Sequence, residues 1–390
     1  MTKKVYLDYN ATGPVLPEVL EAMLPYFTVE YGNPSSVHSL GQDAMEAVED
    51  ARDKVAELIG AEPNEVIFTS GGSESDNFAI KGFIQSLKGK KSHVITSAVE
   101  HKAVLESTRF LEDNGVDITY LGVDKSGRLD IDELKRAIIG DTRLITIMYA
   151  NNETGTLFDI PSIGEIARDR GIAFHTDAVQ AVGKIPVDVK RDKIDMLSIA
   201  GHKMGAPKGV GAIYVNGGLN PRPTPIIHGG HHEFNMRAGT VNVPSVVGLG
   251  ASAEIAKNGL KKKGEMLKRL RDRLEAGILE RIDNVQINGD LDNRLSNTSN
   301  MSFAYVEGES IMIDLDLHGI CVSSGSACAS DDISLSHVLE AMGVDPVIGQ
   351  GTIRFSLGGG NTEEEIDYVI ETIPKIVKRL RDLSPLSRAK

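Results

Sequence analysis

The sequence predicts an α/β fold with a mainly parallel sheet in a large N-terminal domain, followed by a smaller α+β domain. Two observations lead there. Between Glu65 and Val215, short β-branched runs alternate with helical patterns, the signature of parallel strands joined by crossover helices. The chain also has 390 residues, more than one hydrophobic core usually organises. In order, Val66–Thr69 reads as a strand, then Ser70-Gly-Gly-Ser73 opens a helix running through Phe83. His93–Thr96 is a strand that ends before Glu100-His101 and a helix to about Asn114. Leu144–Tyr149 leads into Asn151-Asn-Glu-Thr-Gly155. Pro161 opens a helix at a favoured first-turn position, and Ile172–Asp177 is the next strand. Met196–Ile199 ends at Ala200-Gly-His-Lys203, and Gly211–Val215 is read as an antiparallel return.

Beyond this region the pattern predicts a helix over Asn242–Ala256 and a separate, strongly charged one over Leu260–Arg281. The Lys261-Lys-Lys263 run reads as a solvated helix face. Strands near Val285–Ile287 and Asn300–Phe303, a helix over Glu309–His318, a strand at Thr352–Ser356 and an amphipathic helix over Thr362–Leu383 complete the smaller domain. The expected division is 15–256 for the large domain and 1–14 with 257–390 for the small one.

A net charge of −13 argues against nucleic-acid binding, which needs a basic surface. The apolar runs are too short to cross a bilayer, and the N-terminus has no apolar signal core, so a cytoplasmic location is expected. With two cysteines, Cys321 and Cys328, a disulfide framework is excluded and no metal site is expected. Cys321, within Gly319-Ile-Cys-Val322, reads as a buried, inert residue. Cys328 differs. Its run Ser323-Ser-Gly-Ser-Ala-Cys-Ala-Ser330 has almost no bulk and high backbone freedom, which suits a thiol that must reach a substrate and swing away.

The unusual polar residues gather at strand carboxyl ends, where open α/β sheets bind ligands. Thr69-Ser-Gly-Gly-Ser-Glu-Ser75 aims free backbone N–H groups and a helix dipole at an anion, without the spacing of a P-loop or dinucleotide fingerprint. Taken alone, it serves equally as a glycine turn with Ser73 capping a helix. Asp177 and Lys203 end two strands. A lysine can hold an aldehyde as a Schiff base, and a carboxylate facing a pyridine nitrogen keeps that nitrogen protonated. With the anion turn, they form the triad that pyridoxal 5'-phosphate requires. His101 reads either as a helix-terminal residue or as a ring-stacking proton carrier.

On these residues the chain resembles the cysteine desulfurases, the NifS/IscS-like group of the class-V aminotransferases. The resemblance is carried by Tyr6-Leu-Asp-Tyr-Asn-Ala-Thr12, Tyr31-Gly-Asn-Pro-Ser-Ser-Val-His38, Phe68–Asn77, Val99-Glu-His101, Asn151–Gly155, His175–Gln180, Gly201-His-Lys203, Arg237-Ala-Gly-Thr240, Ser323–Cys328 and Ile353–Leu357. It implies a fold type I pyridoxal-phosphate enzyme with a seven-stranded, mainly parallel sheet flanked by helices. It further implies that Lys203 binds the cofactor and takes the substrate α-proton, while Asp177 pairs with the ring nitrogen. Gln180 would bond the ring hydroxyl, and His101 would stack on the ring as acid–base. Gly72, Ser73, Ala200, Gly201 and His202 would surround the phosphate, joined by Thr240 of a second subunit, so a homodimer is implied. Asn152, which also neighbours the cofactor, and Arg354 would bind L-cysteine, and Cys328 would take its sulfur as a persulfide for an iron–sulfur scaffold or other carrier. Selenocysteine lyase or another aminotransferase-like activity is the alternative, and the Cys328 loop speaks against most of these.

The chain departs from the group's pattern in places. Ser73 stands for the usual threonine and keeps the hydroxyl. Ala200 replaces a serine and removes one phosphate hydrogen bond. Gly358-Gly-Gly-Asn361 replaces a stretch with a basic residue and an aromatic. The chain also stops soon after Leu383-Ser-Pro-Leu386, without the longer tail that docks a scaffold, so partner identity is the least constrained expectation.

Overall fold

The computed structural model describes residues 4–324 and 335–384. Its centre is a seven-stranded sheet. Across it run Val66–Thr69, Gly211–Val215, Met196–Ala200, Ala173–Asp177, Thr142–Thr146, His93–Ser97 and Asp117–Leu121. Gly211–Val215 is antiparallel to both neighbours, as the sequence predicts, and the remaining pairs are parallel. The strand Asp117–Leu121 escapes the sequence reading. It lies at the sheet edge and only Leu121 is buried, so it lacks the continuous apolar run that marks central strands such as Ala173–Asp177.

Apolar side chains cover both sheet faces. Val99, Ile145, Phe174 and Leu197 belong to one buried cluster, and Ile67, Val94, Leu144 and Ile213 to another on the opposite side. A third cluster, with Val5, Leu7, Leu274, Ile311, Phe355 and Ile373, is the core of the C-terminal region. The N-terminal strand Val5–Tyr6 pairs in parallel with Ile320–Cys321 and so joins this smaller body. Here Thr298–Phe303 lies between Val285–Asn288 and Thr352–Ser356, with Ser323–Ser324 beyond, all antiparallel.

The two helices expected over Asn242–Ala256 and Leu260–Arg281 are one helix, Val243–Arg281, of 39 residues. Asn242 caps it, its side chain accepting from the Ser245 N–H, and Pro244 occupies the first turn. Gly259 lies between the two expected helices, but a lone helical glycine costs only about 1 kcal/mol, and packing at both ends outweighs that. Val246, Leu249 and Ala253 bury against the large core, while Leu267, Leu270 and Leu274 bury against the small one. The division expected at residue 256 therefore falls inside a continuous helix. Lys261 and Lys262 are exposed, whereas Lys263 is half-buried beside Gly359, so the charged run is not solvated throughout.

One buried ion pair ties the loop after the sheet to its first strand. Arg52, on the helix Ser39–Ile59, is 3% exposed and grips Glu233 with two bonds of 2.8 and 2.9 Å. Arg52 also donates to the Val66 carbonyl, and Glu233 accepts from the Phe68 N–H. The guanidinium lies 4.7 Å from the Phe68 ring and 4.9 Å from that of Phe234. Glu233, Phe234 and Asn235 all hold positive φ, between 44° and 64°, a conformation unfavourable for non-glycine residues. Removing one partner leaves a bare buried charge, so Arg52→Ala is expected to cost about 3–5 kcal/mol. Thermal unfolding should show a clear fall in Tm. The double variant Arg52→Met/Glu233→Gln should lose less than the sum of its single changes.

Among the described residues, no helix is long and apolar enough to cross a membrane.

Candidate active site

At the carboxyl ends of the parallel strands lies a cavity of about 400 Å³. Gly72, Ser73, His101, Asn152, Asp177, Gln180, Ala200, His202, Lys203 and Arg354 all line it, together with Asn10, Ala11, Asp76, Met148, Ala150 and Val179. Gly201 is buried behind the wall, and Thr240 is exposed and does not line it. Cys328 lies outside the described residues. Residues far apart in sequence converge here because each strand end delivers one side chain to the same edge.

Asp177 ends the strand Ala173–Asp177 and is 6% exposed. Its Oδ1 accepts from the Val179 N–H at 2.9 Å. Burial pushes its carboxyl up, and the neighbouring His101 and Lys203 oppose that shift. Lys203 closes the short turn Gly201–Lys203 after Met196–Ala200. Its ammonium donates to the carbonyls of Asn10 and Ala11 at 2.5 and 2.7 Å. Burial, reinforced by Arg354, lowers its pKa to about 8 despite the carboxylates of Asp177 and Asp8. An amine poised there loses its proton far more readily than a surface lysine.

His101 caps the helix Lys102–Asp113. Its Nδ1 accepts from the Ala103 N–H at 3.1 Å, so in the neutral ring Nε2 carries the proton. His101 is exposed and lines the cavity, so capping the helix leaves its ring open to a ligand there. Burial lowers its pKa, with Asp177 acting the other way. His202 is held at about pKa 4 by burial and by the Lys203 and Lys208 charges, with its Nδ1 3.1 Å from the Thr12 hydroxyl.

The glycine turn differs from one of its two readings. Gly71, not Ser73, is the N-cap of the helical turn Gly72–Asn77, and no side chain caps it. The first N–H groups are therefore free for an outside anion. Glu74, on the same turn, is engaged elsewhere. It accepts from the Ser70 N–H at 2.8 Å and pairs with Arg237 at 3.0 Å, and these contacts hold its carboxyl below the usual range although burial opposes them. A Cβ on Gly72 would come within 2.7 Å of Val179, so a side chain there would crowd the wall.

These features fit pyridoxal phosphate. The turn supplies uncapped N–H groups and the Ser73 hydroxyl, Asp177 supplies a buried carboxylate, and Lys203 supplies an amine with a lowered pKa. The family model Aminotransferase class-V matches residues 5–369. This chain belongs to that family. It is 51% identical over 381 residues to a cysteine desulfurase of Nostoc sp. (strain PCC 7120 / SAG 25.82 / UTEX 2576), covering 98% of this chain and 94% of the relative. It is also 50% identical over 385 residues to cysteine desulfurase IscS of Methanosarcina thermophila, covering 99% and 95%. Among solved structures, a NifS-like protein superposes with a TM-score of 0.91 at 38% identity, covering 97% of this chain and 100% of that one. A structure described as SspA in complex with cysteine gives 0.82 at 39% identity, covering 91% and 99%. As a member of the class-V family, this enzyme depends on pyridoxal phosphate.

Several wall residues escaped the sequence reading although they stand inside quoted motifs. Asn10 is a hub. Its carbonyl accepts from Lys203 and Gln180, its Oδ1 from Lys184 and Asn297, and its Nδ2 donates to Thr298. Lys184 donates to Gln180 Oε1, which turns the Gln180 amide nitrogen the other way, toward Asn10. Asp8 pairs with Arg354 at 2.9 Å, while Arg354 also donates to the Asn152 carbonyl and the Ser323 hydroxyl. A uniformly polar N-terminal motif gives no signal for which of its residues turns inward. Cys321, expected to be buried, is half-buried, and burial with Asp316 nearby raises its thiol pKa.

Proposed function

We propose that this enzyme takes sulfur from L-cysteine, releases L-alanine and carries the sulfur as a persulfide on Cys328 for delivery to an acceptor. The reading rests on one convergence: an uncapped anion turn, a buried strand-end carboxylate and a lysine of lowered pKa on one cavity wall. Relatives of about 50% identity carrying the desulfurase name support it.

In this reading Gly72, Ser73 and His202 hold the phosphate. His202, being neutral, contributes an N–H and no charge. Bound pyridoxal phosphate supplies an electron sink for the bonds broken at the substrate. Asp177 would keep a proton on the ring nitrogen, and Gln180 would bond the ring hydroxyl in exchange for its contact with the Asn10 carbonyl. Lys203 would hold the cofactor through its Nζ and would remove the substrate α-proton. His101 moves protons through Nε2. Arg354 and Asn152 receive the substrate carboxylate, which must compete with Asp8 for the guanidinium. The Cys328 thiolate attacks the substrate sulfur: an S–S bond forms, the carbon–sulfur bond breaks with its electron pair passing to the carbon side, and the carbon skeleton takes up a proton there and leaves as alanine.

The same reading makes the protein a homodimer, with Thr240 completing the partner's phosphate site. Thr240 is exposed here, and Leu20, Leu24, Phe27, Val29 and Tyr31 present apolar surface that a second copy would cover. The acceptor is an iron–sulfur scaffold or other sulfur carrier, in line with the IscS name of several relatives, in a cytoplasm that keeps thiols reduced. We also read the chain as a large domain, 15–256, and a small one, 1–14 with 257–390, on the strength of their separate apolar cores.

The deciding experiment is to supply L-cysteine with a reductant and assay alanine and sulfide together. Equal amounts support the reading. Neither product, from a protein that shows the cofactor's colour, would move the substrate to another amino acid. Ala200 gives a finer test. It is 2% exposed on the cavity wall beside Gly72, where a serine hydroxyl would meet the phosphate. One such bond is worth on the order of 1 kcal/mol, so Ala200→Ser should tighten cofactor binding about fivefold. Equal dissociation constants would remove Ala200 from the phosphate site.

A further inference from the structure

The mechanism leaves one buried carboxyl on the cavity wall unused. Asp76, on the turn Gly72–Asn77, is 1% exposed and faces the same space as Asp177. Oxygens of Asp76 and Asp177 and a ring nitrogen of His101 all lie within 4.8 Å of one another. Asp76 Oδ1 has no hydrogen-bond partner among the described residues, and the His175 Nε2 is 3.7 Å away. His175 brings no charge. Its ring nitrogens lie 2.8 and 3.0 Å from the Thr146 and Ser198 hydroxyls, and complete burial holds its pKa at about 3. Glu100 is a third buried carboxyl nearby. Its Oε1 accepts from Ser97 and the Met148 N–H, its Oε2 has no partner among the described residues, and burial raises its pKa to about 8.

Two carboxyls this close and this dry cannot both ionise, and one proton remains with the pair. The two are not equally supported. Asp177 has the Val179 N–H and the favourable charges of His101 and Lys203. Asp76 has the Ser198 hydroxyl, and the charges acting on it, Asp177 and Glu100, are both repulsive. The charged groups facing the pair are thus divided, with the cations serving Asp177 and the acids opposing Asp76.

We propose that Asp76 is a positioning residue that holds its proton throughout neutral pH, leaving Asp177 as the single negative charge beside the cofactor ring. This rests on the reading of Asp177 as the ring partner. An ionised Asp76 would put a second charge beside that carboxylate, and a side chain without a carboxyl would forfeit the neutral acid that shares its wall.

Infrared spectroscopy of the holoenzyme at neutral pH tests this through the C=O stretch of a protonated carboxylic acid. Labelling aspartate with carbon-13 at the side-chain carboxyl shifts an Asp76 band and leaves a Glu100 band in place. The expected result is a label-sensitive band that Asp76→Asn abolishes. Absence of that band from the unsubstituted labelled enzyme overturns the proposal, and this comparison needs no variant to fold. Persistence of the band in Asp76→Asn also overturns it. Separately, an unchanged visible spectrum in Asp177→Asn would defeat the ring-partner reading while the infrared band still reported on Asp76.

Discussion

Lys203→Ala is expected to lose alanine and sulfide formation together, by at least about 10²–10⁴-fold, the range associated with a positioned proton-transfer group. The true loss should be larger, because the same side chain is read as the cofactor's covalent anchor. The visible spectrum of the purified variant should lack the imine band of the unsubstituted enzyme, and added cofactor should not restore it. The pH dependence carries a sign. An amine reacts with an aldehyde only when neutral, and burial brings the Lys203 pKa to about 8, well below an ordinary lysine. Cofactor uptake by the apoprotein should therefore accelerate as pH rises through about 8 and level off above it. Were Lys203 a surface-like lysine, the rise would continue to about 10.4. Unchanged turnover in Lys203→Ala would remove the residue from the mechanism.

Cys328→Ala should bring sulfide release to background while cofactor and L-cysteine still bind. The two effects separate because the residues read as holding cofactor and substrate, Asp177, Lys203 and Arg354 among them, already line the cavity among the described residues. Without a thiolate to accept sulfur, the substrate's carbon–sulfur bond has no partner for cleavage. Spectral changes on adding L-cysteine should persist, and Cys321→Ala should act normally. Full sulfide production by Cys328→Ala would refute the persulfide role.

How far the sequence reached can be followed along particular residues. Central strands such as Ala173–Asp177 are legible because each is a short apolar run ending in polar residues, and that ending also marks the site. The edge strand Asp117–Leu121 is not, since only one side chain commits to the core. The single helix Val243–Arg281 is misread as two because its apolar stripe changes partners midway, and a local periodicity cannot say that two different cores lie along one axis. Arg52 and Glu233, 181 positions apart, give no sequence sign of their pairing.

By itself the sequence determined the fold class and the family, because these follow from periodicity, glycine turns and short motifs, all local in the chain. Only the tertiary structure decided the electrostatics. That Lys203 rests on two backbone carbonyls, that Arg354 is already engaged by Asp8, and that Asp76 and Asp177 share one dry wall are facts of burial and distance. A carboxyl or an amine has its ordinary pKa in any sequence; desolvation and neighbouring charge, fixed by folding, set the value at which it works.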